Sequence, residues 1–405
     1  MINNKKNILV ISLFDNVFNI QWKCINTVID KYNFEFILLF RDKKIEKFLK
    51  ERKIRFHVAD YKLFNSRVKY LPFLRVFLKE VYYFFVYIRI SFKINEKQDF
   101  LFINDNSSTI GKYFLRDFNK KGKPSFIYEY GLSLFENIFN DKISIRKDRG
   151  LIKNFLDKYE EKIIYNLLYK TVFHLKSPGY IPLDNGAHYL LVLNEISKKN
   201  ALSQNYSFKD VINVGNVQYE KYKDAVIKNG NYVLLILSNG YEVVENYGFD
   251  KNDYFTNLKK LLLYLRENQK NVILKHHPND RLHLYKDLNK EFSSFTWVNH
   301  NEKSNKNLII NSELVIFPMS TLAMEAIFIK KPLLFFNYYN ESNESFYFYN
   351  KVFKELPVID ININYSSNLN YTLSDNINIE GYNNFIKSEL FKNNFINFLS
   401  RLESI

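Results

Sequence analysis

The sequence predicts an α/β protein built from two doubly wound, Rossmann-like domains. Three observations carry this reading. Short apolar runs alternate with segments of helical length through the first half of the chain. A second series of the same kind begins after Asn229-Gly230-Asn231. The chain has 405 residues, which is long for one ordinary α/β domain and comfortable for two. Alternation of this kind places parallel strands in a sheet with helices on its faces.

In the first series, Asn7–Ser12 is an apolar run led by Lys5 and Lys6. Residues 34–40 (FEFILLF) and 54–58 read as the second and third strands. Phe100–Ile103 precedes Asn104-Asp105-Asn106, and Ser125–Tyr128 runs directly into Glu129-Tyr130-Gly131. The segment 61–93 interrupts this rhythm. It is rich in aromatics (Phe73, Phe77, Tyr82, Tyr83) and in bases (Arg67, Lys69, Arg75, Lys79). The plainer reading is a core-facing helix that snorkels its bases to solvent. The alternative is a peripheral contact with an anionic membrane surface.

The unit changes near residues 218–231, where a charged stretch meets a turn signal. The expected organisation is a first domain over 1–225, a second over 226–380 and a C-terminal helix over 381–405. In the second domain a strand at 232–237 ends in Ser238-Asn239-Gly240, as a nucleotide-binding unit commonly opens. There follow a helix at 254–268 and a strand at 271–274, which ends in Lys275-His276-His277-Pro278. The strand Leu314–Phe317, a helix at 321–329 and a strand at 332–336 complete the series.

Composition narrows the function. The net charge is +15, from 58 basic and 43 acidic residues. A Lys-rich genome explains it; so does an acidic partner such as a nucleotide sugar, an acidic glycan or an anionic membrane. No RNP, zinc-finger or helix-turn-helix signature supports nucleic acid. Cys24 is the single cysteine, so no intrachain disulfide forms. The N-terminus lacks the pattern of a secretory signal, and no apolar run reaches membrane-spanning length. A cytoplasmic protein is expected, with peripheral contact on the inner membrane face as the variant that 61–93 allows.

Three short motifs carry the candidate chemistry. In Phe317-Pro318-Met319-Ser320-Thr321, two hydroxyls stand where a helix begins. Free N–H groups and the helix dipole favour a phosphate there; plain N-capping uses the same residues, and on this segment alone capping accounts for them. His277-Pro278 follows a strand directly, at the ligand edge of a doubly wound domain. Proline biases His277 to extended backbone, and histidine there holds a phosphate or protonates a leaving group. Glu129 closes a strand before a glycine turn, a place for a general base. No Walker loop, GxGxxG, GxSxG or DxD pair is present. A reaction without metal or organic cofactor is the default.

Together, in this order, the three motifs resemble those of the bacterial sialyltransferases and polysialyltransferases of capsule and lipooligosaccharide synthesis. Those families carry an acidic-acidic-Gly motif, an HP motif and a Ser/Thr-rich motif. The resemblance implies a GT-B fold, two Rossmann-like domains facing a central cleft. It implies an inverting, metal-independent transfer of sialic acid from CMP-sialic acid to a hydroxyl of a cell-surface glycan or lipid-linked acceptor. Carried across, Glu129 matches the base, and His277 the nucleotide-phosphate contact and general acid. Ser320 and Thr321 match the paired phosphate-binding hydroxyls. Ser238, Asn239 and Gly240 match the loop that opens the nucleotide domain. Lys275 and Pro278 complete the expected donor-binding set. The second acidic position is Tyr130, which departs from the pattern. Donors linked to UDP or CDP, or CMP-Kdo, remain alternatives, as does a non-catalytic glycan-binding protein.

Overall fold

All strand pairs among the described residues are parallel. The structure is a computed structural model that describes residues 5–59, 72–94, 97–103, 109–129, 186–203, 208–226, 230–237, 251–278, 280–317, 322–329, 331–336, 359–361 and 391–404. The chain divides into two units. One comprises Met1–Gln218 with Glu389–Ile405, the other Tyr219–Ser388.

In the first unit the strands are β1 (Asn7–Ser12), β2 (Asn33–Leu38), β3 (Arg55–Val58), β4 (Phe100–Ile103), β5 (Ser125–Tyr128), β6 (Tyr189–Val192) and β7 (Asp210–Asn213), in the spatial order β3-β2-β1-β4-β5-β6-β7. Strands β4, β5 and β6 are buried along their whole length. That is why they read as continuous apolar runs rather than alternating ones. Helices cover both faces. On one side lie α3 (Pro72–Ser91), α4 (Thr109–Lys120) and α5 (Glu195–Ser203), with Tyr83, Tyr87, Tyr113 and Phe114 in the core beneath them. On the other lie α1 (Asp15–Asn26) and α2 (Lys43–Glu51), which pack Phe18, Ile25 and Leu49 inward. Helix α3 therefore has the core-facing side that its sequence allowed. Its ring of Tyr87 stacks on Tyr113 at 4.9 Å.

The second unit holds β8 (Val233–Ile236), β9 (Val272–Lys275), β10 (Thr296–Val298), β11 (Leu314–Phe317), β12 (Leu333–Phe336) and β13 (Ile359–Ile361). Their order is β10-β9-β8-β11-β12-β13. Numbered within each unit, both sheets follow the 3-2-1-4-5-6 order of the dinucleotide-binding fold, and the first unit adds a seventh strand. Helix α6 (Lys251–Glu267) covers one face with Tyr254, Leu258, Leu261 and Leu265, and the short helices α7 (Lys286–Glu291) and α8 (Asn305–Ile310) follow β9 and β10. Gly230, just before β8, has no room for a side chain. A Cβ there would lie 1.8 Å from the carbonyl oxygen of Asn311.

Two features of the expected organisation differ. The boundary falls at 218/219 rather than 225/226. The turn Val217–Tyr222 carries Tyr219 onto Phe328 of α9 (Leu322–Phe328), with ring centroids 4.7 Å apart, so the start of the charged stretch belongs to the second unit. The C-terminal helix is not a separate element. As α10 (Phe391–Glu403) it returns to the first unit. Its apolar stripe of Phe391, Phe395, Phe398 and Leu402 packs against Tyr128, Phe126 and Tyr189.

Candidate functional site

In an open parallel sheet, ligands gather at the carboxyl ends of strands where the strand order reverses. In the second unit that switch lies between β8 and β11. The motif-bearing segments follow three adjacent strands. His277-Pro278 follows β9, Ser238-Asn239-Gly240 follow β8, and Ser320-Thr321 follow β11. Ser238, Asn239, Gly240, Ser320 and Thr321 themselves lie outside the described residues, as do Tyr130 and Gly131. The strands that precede these segments, β9, β8 and β11, are neighbours in one parallel sheet.

The His-Pro turn is closed on itself. The backbone N–H of His277 donates to Asp280 Oδ2 at 2.8 Å, and the Asp280 N–H donates to the His277 carbonyl at 3.0 Å. His276 Nδ1 lies 3.3 Å from the same carboxylate oxygen. The His276 ring is buried, with Tyr285 at 4.9 Å and Trp297 at 5.7 Å. So the two histidines divide their tasks. His276 anchors the turn in the core, and His277 remains half-buried at the edge. Burial pushes the His277 pKa down, the Asp280 carboxylate opposes that shift, and His300 adds to it. Pro278 is exposed in the turn.

Lys275 points elsewhere than a donor site requires. Its buried ammonium donates to the carbonyls of Asn299, His300 and Lys303 at 3.0, 2.8 and 3.0 Å. An ammonium has three N–H groups, and three carbonyls take them. Lys275 therefore ties the end of β9 to the loop after β10, which holds His300 near His277. Burial lowers its pKa, while the charge of Glu302 opposes that shift.

On the far side of the switch, Glu325 of α9 is buried. It accepts from the Tyr222 hydroxyl at 2.5 Å and pairs with Lys221 Nζ at 2.6 Å. Burial and the neighbouring carboxylate hold the Tyr222 hydroxyl protonated far above its usual range. Sequence reasoning missed Glu325 and Asp280. Asp280 had a signal in its offset, three residues after His277, the spacing of a side chain that caps a turn; Glu325 had none, because its partners Lys221 and Tyr222 are distant in sequence.

In the first unit, Glu129 directly follows β5 at the carboxyl edge. Its side chain is buried and accepts the Leu193 N–H at 3.2 Å, just beyond β6, while its own N–H donates to the Leu191 carbonyl at 2.9 Å. The neighbouring Tyr128 hydroxyl donates to the Gly215 carbonyl at 3.1 Å and accepts the Val217 N–H at 3.0 Å. Gly215 turns with φ +84°, a conformation that favours glycine. The strand that ends in Glu129 is thereby fastened to the chain leaving β7. Among the described residues no group of three or more His, Cys, Asp or Glu side chains is gathered as a metal would need.

No family model matches the chain. No curated relative matches it either. Solved structures do. A UDP-glucosyltransferase from Polygonum tinctorium that glucosylates indoxyl is 11% identical with a TM-score of 0.56, covering 100% of both chains. A UDP-N-acetylglucosamine 2-epimerase from Rickettsia bellii is 12% identical at a TM-score of 0.54, covering 99% of this chain and 98% of its own. The glycotransferase of kitacinnamycin is 10% identical at 0.53, covering 99% and 96%. The fold is GT-B, as the motifs led us to expect.

Proposed function

We propose that this chain is a glycosyltransferase that takes a sugar from a nucleotide-activated donor, with CMP-sialic acid the favoured donor and a cell-surface glycan or lipid-linked chain the acceptor. The observation that supports the reading is that β9, β8 and β11, which the three motif segments follow in sequence, are neighbours around the β8/β11 switch, with the His277 turn held by Asp280. The acceptor hydroxyl attacks the anomeric carbon in line and gives its proton to the Glu129 carboxylate. The bond between that carbon and the phosphate oxygen breaks with inversion, and its electron pair leaves with the nucleotide. His277 meets the charge that develops on the phosphate and supplies a proton to it. The N–H groups after β11, with Ser320 and Thr321, give further donors. Donors aimed in advance at a leaving phosphate can replace a metal ion, and the sequence has no DxD pair to hold one. Membrane contact through 61–93 fits a lipid-linked acceptor.

A second reading is a UDP-linked donor, favoured by the UDP-sugar enzymes among the structural relatives. The test is a thermal-shift panel with CMP, CDP, UMP, UDP and GDP, with and without Mg²⁺. Binding to the native state raises apparent stability by mass action. Stabilisation by CMP, indifferent to Mg²⁺ and lost in His277→Ala, supports the first reading. Preference for UDP replaces the donor. No shift with any nucleotide sinks both readings.

A further inference from the structure

Because every strand of the first sheet runs the same way, the unit has two chemically distinct edges. One carries the strand ends and Glu129. At the other, the strands enter. An exposed lysine precedes each of the first five strands: Lys5 before β1, Lys31 before β2, Lys53 before β3, Lys97 before β4 and Lys121 before β5. Helix α3 runs back to this edge and delivers Lys93 and Phe92. Phe92 is 87% exposed, and Phe85, seven residues earlier on the same helical face, is 63% exposed. Arg89 lies exposed between them. Carboxylates are fewer at this edge. Among the described residues, Asp99 is engaged by Lys6, Glu51 by Lys47 and Asp210 by Arg401, which leaves Asp30 and Glu403 as exposed counter-charges.

We propose that the strand-entry edge of the first unit docks on an anionic lipid bilayer, with Phe92 entering the headgroup layer. Lysines spread along an edge attract an anionic surface additively, and aromatic side chains among them gain from the boundary between headgroups and acyl chains. A nucleic-acid backbone provides the charge but no apolar layer for Phe92. No helix among the described residues is long and apolar enough to cross a membrane, so the contact is a surface one. The edge that carries Glu129 then stands off the bilayer by about one strand length, roughly 13 Å for the four residues of β5. That reach suits the outer end of a glycan rather than the sugar next to the lipid. This last consequence rests on the glycosyltransferase reading; the docking does not.

The test is co-sedimentation of the full chain with vesicles of phosphatidylcholine alone, or with one part in four of phosphatidylglycerol. Binding is expected only to the anionic vesicles, and it should weaken by about tenfold on going from low to physiological salt. The variant Lys31→Glu/Lys97→Glu/Lys121→Glu should lose about tenfold or more in binding. Phe92→Ser should lose several-fold and keep the salt dependence. Thermal melting checks that the variants fold; should the triple variant fail, Phe92→Ser and the single Lys97→Gln carry the test. No binding to anionic vesicles overturns the proposal, as does equal binding by folded variants. So does tighter binding to duplex DNA or RNA that Phe92→Ser leaves unchanged. A chain that is stabilised by a nucleotide but ignores vesicles loses the docking and keeps the transferase; one that binds anionic vesicles and is stabilised by no nucleotide does the opposite.

Discussion

Asp280 and His277 hold each other through two backbone contacts, His277 N–H to the Asp280 carboxylate at 2.8 Å and Asp280 N–H to the His277 carbonyl at 3.0 Å. The side chain that fixes the turn is fully buried and also adds negative charge beside the His277 ring.

Removing that carboxylate leaves a buried N–H without its acceptor. Asp280→Ala should cost about 1–3 kcal/mol of stability, measured by urea denaturation. Asp280→Asn keeps an acceptor for His277 N–H and removes the charge. It should recover most of that stability and leave nucleotide binding weaker at neutral pH, because His277 protonates less readily. Equal stability loss in both variants would show that the charge, not the hydrogen bond, holds the turn.

A second prediction concerns acid. Burial lowers the pKa of His277 from 6.5, and burial, then Lys209, lowers that of His188. Nδ1 of His188 accepts the Ser125 N–H, so protonation there breaks a hydrogen bond at the start of β5. Between 6.5 and the lower folded values, the unfolded chain binds more protons than the folded one. Stability therefore falls as pH drops through that window and is fully present above it. Melting temperature followed from pH 7.5 down to pH 5.5 should decline, and His188→Gln should flatten part of the decline. Nucleotide affinity should move the other way, strengthening as His277 gains its proton, because a phosphate favours the imidazolium.

Much of this was legible from runs of apolar residues. Strands β1, β4, β5 and β11 were read with their observed ends, since parallel strands buried on both faces leave a continuous signal. Strand β6 was missed, although it is a four-residue apolar run, because it follows a long stretch with no alternating rhythm. Strand β7, Asp-Val-Ile-Asn, has only two apolar residues and gains its place by pairing with β6. The role of Lys275 was illegible for a different reason. A lysine after a strand looks like a phosphate ligand, and only the path of the loop 299–303 shows where its three N–H groups go. The return of α10 to the first unit is likewise a long-range fact. Its amphipathic stripe announced a helix, not which sheet the stripe would cover.

Lys275→Met tests that reassignment. It keeps the stem and removes the ammonium, leaving three carbonyls to find water. A loss of about 2–3 kcal/mol is expected. Nucleotide binding should weaken only through the loop, so high nucleotide concentration should restore the complex. A variant of unchanged stability that no longer binds nucleotide would instead put Lys275 on the donor.

The Tyr222–Glu325 pair offers a fourth measurement. Tyr222→Phe removes the donor and leaves Lys221 on the carboxylate, so it should cost about 1–2 kcal/mol. Glu325→Gln should cost less than Glu325→Ala. In a double-mutant cycle Tyr222→Phe and Glu325→Ala should show clear coupling, because each removes one side of the shared hydrogen bond. Additive effects would mean that Lys221 alone satisfies the carboxylate.

The proposed chemistry depends most on Glu129. A general base must take a proton, yet this carboxylate is buried and accepts a backbone N–H from Leu193. The two roles use different properties. Accepting from Leu193 needs only an oxygen lone pair, which a glutamine retains; taking a proton needs a carboxylate. Glu129→Gln should therefore melt close to the parent protein while losing turnover by roughly 10²-fold or more. Glu129→Ala should lose both, with the stability cost of an orphaned Leu193 N–H at about 1–3 kcal/mol. Transfer from a CMP-, UDP- or CDP-sugar, whichever nucleotide first stabilises the chain, is the assay for both variants. Near-normal turnover by the glutamine variant would reduce Glu129 to a strand-end fastener, and the base would then have to be sought on another strand of the same edge.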